Sequence, residues 1–130
     1  MLTFKQFLAE VEARPFKAIA YHGTNVDNIE KFTGVVYFST QQDAAEGYSR
    51  GKVNIHKKGK ATVYEVELDF KNPFYFQTLQ QIGTLTTSDI EGLRKRGYDG
   101  GVYEGTKKEP IPEYVPFDPE SVTILRKISV

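Results

Sequence analysis

The chain contains no cysteine and no tryptophan, and it has only two histidines and one methionine. Without thiols it cannot form disulfides, thiolate nucleophiles, zinc–thiolate sites or iron–sulfur clusters. A metal site would need His22 or His56 plus carboxylates, and His56 lies in a run of cations that repels a metal ion. No metal is therefore expected. Net charge is absent too: 17 Lys and Arg balance 17 Asp and Glu. This removes bulk basicity as an argument for nucleic acid and leaves only local patches. No apolar run approaches the ~18 residues of a membrane span, so no membrane partner is expected. Met1–Ala20 holds Lys5, Glu10, Glu12, Arg14 and Lys17 and lacks the apolar centre of a secretory signal. What remains is 130 residues, 39% apolar, with 9 Phe and 8 Tyr. That is material for one core.

The pattern predicts many short strands and a few short helices. Leu2, Phe4, Phe7, Leu8 and Val11 recur at helical spacing, and Arg14-Pro15 ends that segment. Segment 1–13 is thus expected to be an amphipathic helix and 14–130 a single domain. Strands are expected over Phe16–His22, Gly34–Ser39, Ala61–Phe70, Tyr98–Tyr103, Glu113–Phe117 and Ser121–Ile128. In Ala61–Phe70, the pattern alone puts Tyr64 out of step with a period of two. Gly23-Thr24-Asn25 reads as a turn, and Asp27–Phe32 as one helical turn. Thr40 is expected to cap a helix over Gln41–Arg50 that closes at Gly51. Thr87 or Ser88 is expected to cap a helix that runs to Arg96 and stops at Gly97. Phe74–Leu79 reads as extended or loop, and Arg50–Lys60, with five cations and no acid, as an exposed loop. The βαβ rhythm of a doubly wound sheet, GxGxxG and the P-loop lysine motif are missing, so the fold class is α+β.

Three stretches stand out: Tyr21-His22-Gly23-Thr24, then Val36-Tyr37-Phe38-Ser39 with Tyr48 eleven residues after Tyr37, then Glu113-Tyr114-Val115 followed by Phe117-Asp118. Their order and spacing resemble the ADP-ribosyltransferase superfamily, in the branch with a His–Tyr–Glu triad that includes poly(ADP-ribose) polymerases and diphtheria-type toxins. The Gly-Tyr-Asp-Gly strand before EYV-x-FDPE-x-V also looks like small phage and bacterial members. The resemblance spans about Tyr21 to Leu125. It implies a split, mostly antiparallel sheet and NAD as substrate.

Cleaving the nicotinamide–ribose bond passes through an oxocarbenium-like state, and the leaving pyridinium needs no acid. The protein must hold the ring and the ribose and stabilise positive charge at the anomeric carbon. By resemblance, His22 hydrogen-bonds a hydroxyl of the adenosine ribose. Gly23, beside Thr24, offers its backbone to the nicotinamide carboxamide. Tyr37 and Tyr48 sandwich the ring, and Glu113 accepts from the nicotinamide-ribose 2′-hydroxyl and stabilises the cation. Two positions depart from the family's patterns. Ala45 stands where the polymerase branch often has a serine. Ile111 stands where arginine-modifying relatives have Glu or Gln, which argues against arginine as acceptor. The short chain favours transfer of one ADP-ribose, or plain NAD hydrolysis, over chain elongation.

Taken singly, each residue has an ordinary reading: Tyr37 and Tyr48 as packing residues, His22 as a turn histidine, Glu113 as a solvated strand-end charge. The cations Arg50, Lys52, Lys57, Lys58 and Lys60 read as a solvated connector or as contacts to a macromolecular acceptor, protein or nucleic acid. The segment MLTFKQFLAE resembles phage head-packaging peptides cleaved after Leu-x-Glu, here Glu10. It implies delivery in a phage head into a host cytoplasm, while an ordinary N-terminal helix is the plain reading. Two other classes stay open: a non-catalytic NAD- or ADP-ribose-binding module, and a structural phage head protein.

Overall fold

The computed structural model describes residues 14–130; the amphipathic segment, its packaging motif and the cleavage after Glu10 lie outside the described residues. The fold is α+β. Strands β1 (Phe16–Thr24), β2 (Thr62–Phe70) and β6 (Val122–Ser129) form an antiparallel sheet in the order β1-β2-β6. Strands β3 (Pro73–Tyr75), β4 (Gly100–Tyr103) and β5 (Glu113–Pro116) form a second sheet, with β3 parallel to β4 and β5 antiparallel to it. The helices are α1 (Gln42–His56), α2 (Leu79–Gly83) and α3 (Thr87–Lys95).

The alternation in β2 shows how the first sheet is made. Tyr64, Val66, Leu68 and Phe70 are buried on one face, and Glu65, Glu67 and Asp69 point to the other. Tyr64 is therefore in register. The residue that departs from the alternation is Val63, buried on the opposite face beside Gly23. The outward carboxylates pair with cations: Glu65 with Arg126 at 3.2 Å, Glu67 with Lys17 at 3.6 Å, Asp69 with Lys71 at 3.0 Å. Exposed pairs like these add little stability. The inward row packs with Ala20, Phe32, Phe38, Val102 and Tyr114 into the main core. A second core gathers Ile82, Ile90, Tyr98, Tyr103, Val115 and Phe117 around the other sheet.

Two backbone bridges stitch the sheets together. Tyr21 pairs with Ser39, N–H to carbonyl at 2.7 and 3.0 Å, and Phe38 pairs with Tyr114 at 2.9 Å both ways. The expected strand Gly34–Ser39 is thus reduced to these two residues. Gly34 adopts a positive φ of 77°, and the Tyr37 carbonyl is taken by a histidine side chain instead of a ladder partner.

Other boundaries move for equally local reasons. Gly23 and Thr24 continue β1 and make no turn. Asp27–Phe32 forms no helix; the Tyr64 hydroxyl donates to the Val26 carbonyl and accepts from the Ile29 N–H, which pins the segment as a bend. Helix α1 begins after Gln41, not Thr40, and the Ser39 hydroxyl receives the Gln41 N–H. It runs through Gly51 and ends at Lys57, whose φ is 56°. Hence most of the expected basic loop, from Arg50 to His56, is helix. Helix α3 starts one residue earlier than expected, because Thr86 and Asp89 form a reciprocal capping box. Phe74–Leu79 divides between the end of β3 and the start of α2, which Thr78 caps. Among the described residues, no helix is long and apolar enough to cross a membrane.

Candidate active site

Beside the Tyr21–Ser39 bridge, and lined by both bridging residues, lies a cleft of about 380 Å³. This size suits a small-molecule ligand. Five separate parts of the chain supply its walls, α2 among them through Leu79 and Gly83. β1 provides His22 and Gly23, the bridging segment Tyr37, α1 Tyr48 and Lys52, and the start of β5 Glu113. Five of the residues singled out in the sequence therefore come together. Thr24 does not: it is buried, and its hydroxyl accepts from the Val26 N–H at 3.3 Å.

Gly23 sets how closely α1 approaches the sheet. A methyl group there would sit 1.8 Å from the Ala45 carbonyl oxygen and 2.8 Å from its carbon. Both are far inside contact distance, so helix and strand touch backbone to backbone. Ala45 and Ser49 are the buried residues of that helix face. The contact aims the next face of α1, with Tyr48 and Lys52 four residues apart, at the cleft.

His22 is mostly buried and makes ring contacts with Phe32 and Phe38, each at 5.4 Å between centroids. Its Nδ1 lies 2.8 Å from the Tyr37 carbonyl oxygen. A carbonyl can only accept, so Nδ1 carries the proton, and the neutral ring keeps Nε2 as an acceptor. Burial pushes the pKa down to about 4, the carbonyl opposes this, and the nearby Lys52 charge adds to it. His22 is uncharged at neutral pH.

Tyr37 is held at its far end, where its hydroxyl donates to the Ile82 carbonyl on α2 at 2.9 Å. Burial raises its pKa, as does the negative charge of Glu113. Tyr48, by contrast, is 66% exposed. Glu113 is half-buried, and desolvation raises its pKa above the ordinary carboxylate value. A carboxyl lifted by burial and opening into a cleft is a frequent mark of a functional site.

Lys52, read with Arg50, Lys57, Lys58 and Lys60 as part of an exposed loop that is either a solvated connector or a contact to the acceptor, instead stands on α1, lines the cleft and donates to the Gly23 carbonyl at 2.8 Å. The other four cations are not among the lining residues. The signal in the sequence is the i, i+4 spacing from Tyr48, which reads only when the helix continues past Gly51. Tyr21, Ser39, Leu79 and Gly83 also line it. Among the described residues, no three His, Cys, Asp or Glu side chains gather as a metal-holding group.

No protein-family model matches the chain, and no curated protein matches it in sequence. The fold class is α+β with a split, mostly antiparallel sheet. In fold, the protein is similar to a chain of the M. tuberculosis MbcT–MbcA toxin–antitoxin complex, with a TM-score of 0.54 over 88% of this chain and 85% of that one. The two are 7% identical, so the likeness is one of fold.

Proposed function

We propose that the protein is an ADP-ribosyltransferase that cleaves NAD and transfers one ADP-ribose to an acceptor. The observation that carries this reading is the convergence of His22, Tyr37, Tyr48 and Glu113 on one cleft. These are the residues that the resemblance to the His–Tyr–Glu branch names, in the order it names them. In this reading the pyridinium ring lies between the faces of Tyr37 and Tyr48, which attract a cation. The bare Nε2 of His22 accepts from a hydroxyl of the adenosine ribose. The bond between the anomeric carbon and the pyridinium nitrogen breaks, and its electron pair leaves with neutral nicotinamide. The Glu113 carboxylate, fixed at the start of a strand, stabilises the sugar cation by preorganised charge. An oxygen or nitrogen of the acceptor then bonds to the carbon and releases a proton.

The fold neighbour belongs to a toxin–antitoxin complex. This supports a toxin-like role with a protein partner. The test is incubation of the purified protein with labelled NAD, alone and with cell extract. Release of nicotinamide, with label on a macromolecule, is the expected result. NAD left intact in both incubations overturns the proposal.

A further inference from the structure

Lys52 is the one cation that lines the cleft among the described residues, and Glu113 is the one carboxylate. They come from different walls, α1 and β5, and form no ion pair with each other. The cleft is thus bipolar. Lys52 also has an unusual partner. Its ammonium is half-buried, yet it donates to a neutral carbonyl, that of Gly23, at 2.8 Å. Burial without a counter-charge costs free energy, and it lowers the Lys52 pKa. The contact with Gly23 uses one of three N–H donors. It fixes the nitrogen on the wall, occupies the carbonyl that the resemblance offered to the nicotinamide carboxamide, and leaves two donors for a ligand.

We propose that Lys52 anchors the pyrophosphate of the dinucleotide, so that the cleft selects a phosphate-bearing ligand over the bare nicotinamide nucleoside. This rests on reading the cleft as an NAD site. The polarity then matches the substrate: a cation faces the permanently anionic pyrophosphate, and an anion faces the sugar carbon that becomes positive. Lys52 binds and orients through a charge-assisted hydrogen bond and takes no part in bond cleavage.

The experiment compares binding of NAD with binding of nicotinamide riboside, which keeps ring and ribose and lacks phosphate. It uses the full chain, Lys52→Met, which keeps much of the apolar stem, and Lys52→Gln, which keeps a donor for Gly23. Both variants are expected to bind NAD about 10- to 100-fold more weakly, the usual worth of a hydrogen bond to a charged group. Binding of nicotinamide riboside should not weaken. In the unmodified protein, the preference for NAD should narrow as ionic strength rises; this arm needs no variant to fold. Equal losses for the two ligands, undiminished NAD binding, or a preference indifferent to salt overturns the assignment of Lys52 alone. If the unmodified protein binds neither ligand, the reading of the cleft falls and this inference falls with it.

Discussion

The Nδ1–H of His22 points at the carbonyl of Tyr37, 2.8 Å away, and this contact joins the end of β1 to the bridging segment that carries a cleft tyrosine. It also determines which nitrogen is protonated, and so what the ring can offer a ligand. The pH dependence of stability follows. In the unfolded chain His22 takes up a proton near pH 6.5, in the folded chain near 4. Between these values the unfolded state binds more protons, so stability falls as pH drops through the window and stops falling below about 4. The full effect is about 3 kcal/mol, since each tenfold difference in proton affinity is worth ~1.4 kcal/mol. His22→Gln, which retains a donor for Tyr37, should lose less stability than the parent between pH 7 and pH 4. Urea titrations at the two pH values measure the difference. Equal losses in the two proteins would show that His22 is not the group responsible.

Glu113 has the opposite sign. Its folded pKa lies above its ordinary value, so the folded state holds this proton more tightly than the unfolded state does. Ionised Glu113 costs stability above the folded pKa, and the cost vanishes below the ordinary carboxylate value near 4.5. Glu113→Gln should therefore raise the melting temperature at pH 7 and give no gain at pH 4. The same substitution should lower the rate of NAD cleavage by about 10²–10³, as loss of one electrostatic stabiliser of a transition state does. NAD affinity should change little. In the parent, activity should fall on the acid side at a pH above the ordinary carboxylate value. Calorimetry and nicotinamide release measure the two effects, and an active Glu113→Gln protein refutes the assigned role.

What could be read in the residues, and what could not, divides along physical lines. The strand over Ala61–Phe70, the final strand and the stop at Gly97 are local patterns, and they appear where expected, within a residue or two, although Tyr64, out of step in the pattern, belongs to the inward row. The end of α1 is different. Gly51 reads as a terminator, but the left-handed conformation that commonly ends a helix falls at Lys57 instead. A helix cut short at Gly51 leaves Lys52 outside it and hides its place in the cleft. Gly34–Ser39 is β-branched and aromatic, yet it pairs only at its end. A side chain from another strand takes the Tyr37 carbonyl, and no local pattern encodes that. The parallel pairing of β3 with β4 begins at Pro73, a residue that locally signals a break. For the site, residue types and order are legible; the split that brings them together is a long-range property.

The contact of Gly23 with α1 makes two glycines respond in opposite directions. Gly23→Ala would drive a methyl group into the Ala45 carbonyl, and backbone must yield. A loss of about 3 kcal/mol or more is expected, at the upper end of overpacking effects. The shift of α1 should also carry Tyr48 and Lys52 out of place and weaken NAD binding. Gly51 lies inside α1 with nothing within 4 Å of an added methyl. Gly51→Ala should therefore stabilise by about 0.5–1 kcal/mol, the difference in helix propensity. Thermal denaturation of the two variants tests the pair, and a stable Gly23→Ala protein would mean that helix and strand are farther apart.

Tyr37 and Tyr48 separate folding from binding. The Tyr37 hydroxyl holds α2 through Ile82, and its ring packs against the second core. Tyr37→Ala should thus lose stability and ligand together. Tyr48 is mostly exposed, so Tyr48→Ala should leave the melting temperature nearly unchanged. Its loss should appear in NAD affinity, about 3- to 30-fold, the range for a cation on an aromatic face from exposed to desolvated settings. Tyr48→Phe keeps the ring and should retain nearly all of the affinity. Isothermal titration with NAD distinguishes the cases. If Tyr48→Ala binds NAD as the parent does, the ring is not part of the nicotinamide site, and Tyr37 would have to hold the pyridinium from one side alone.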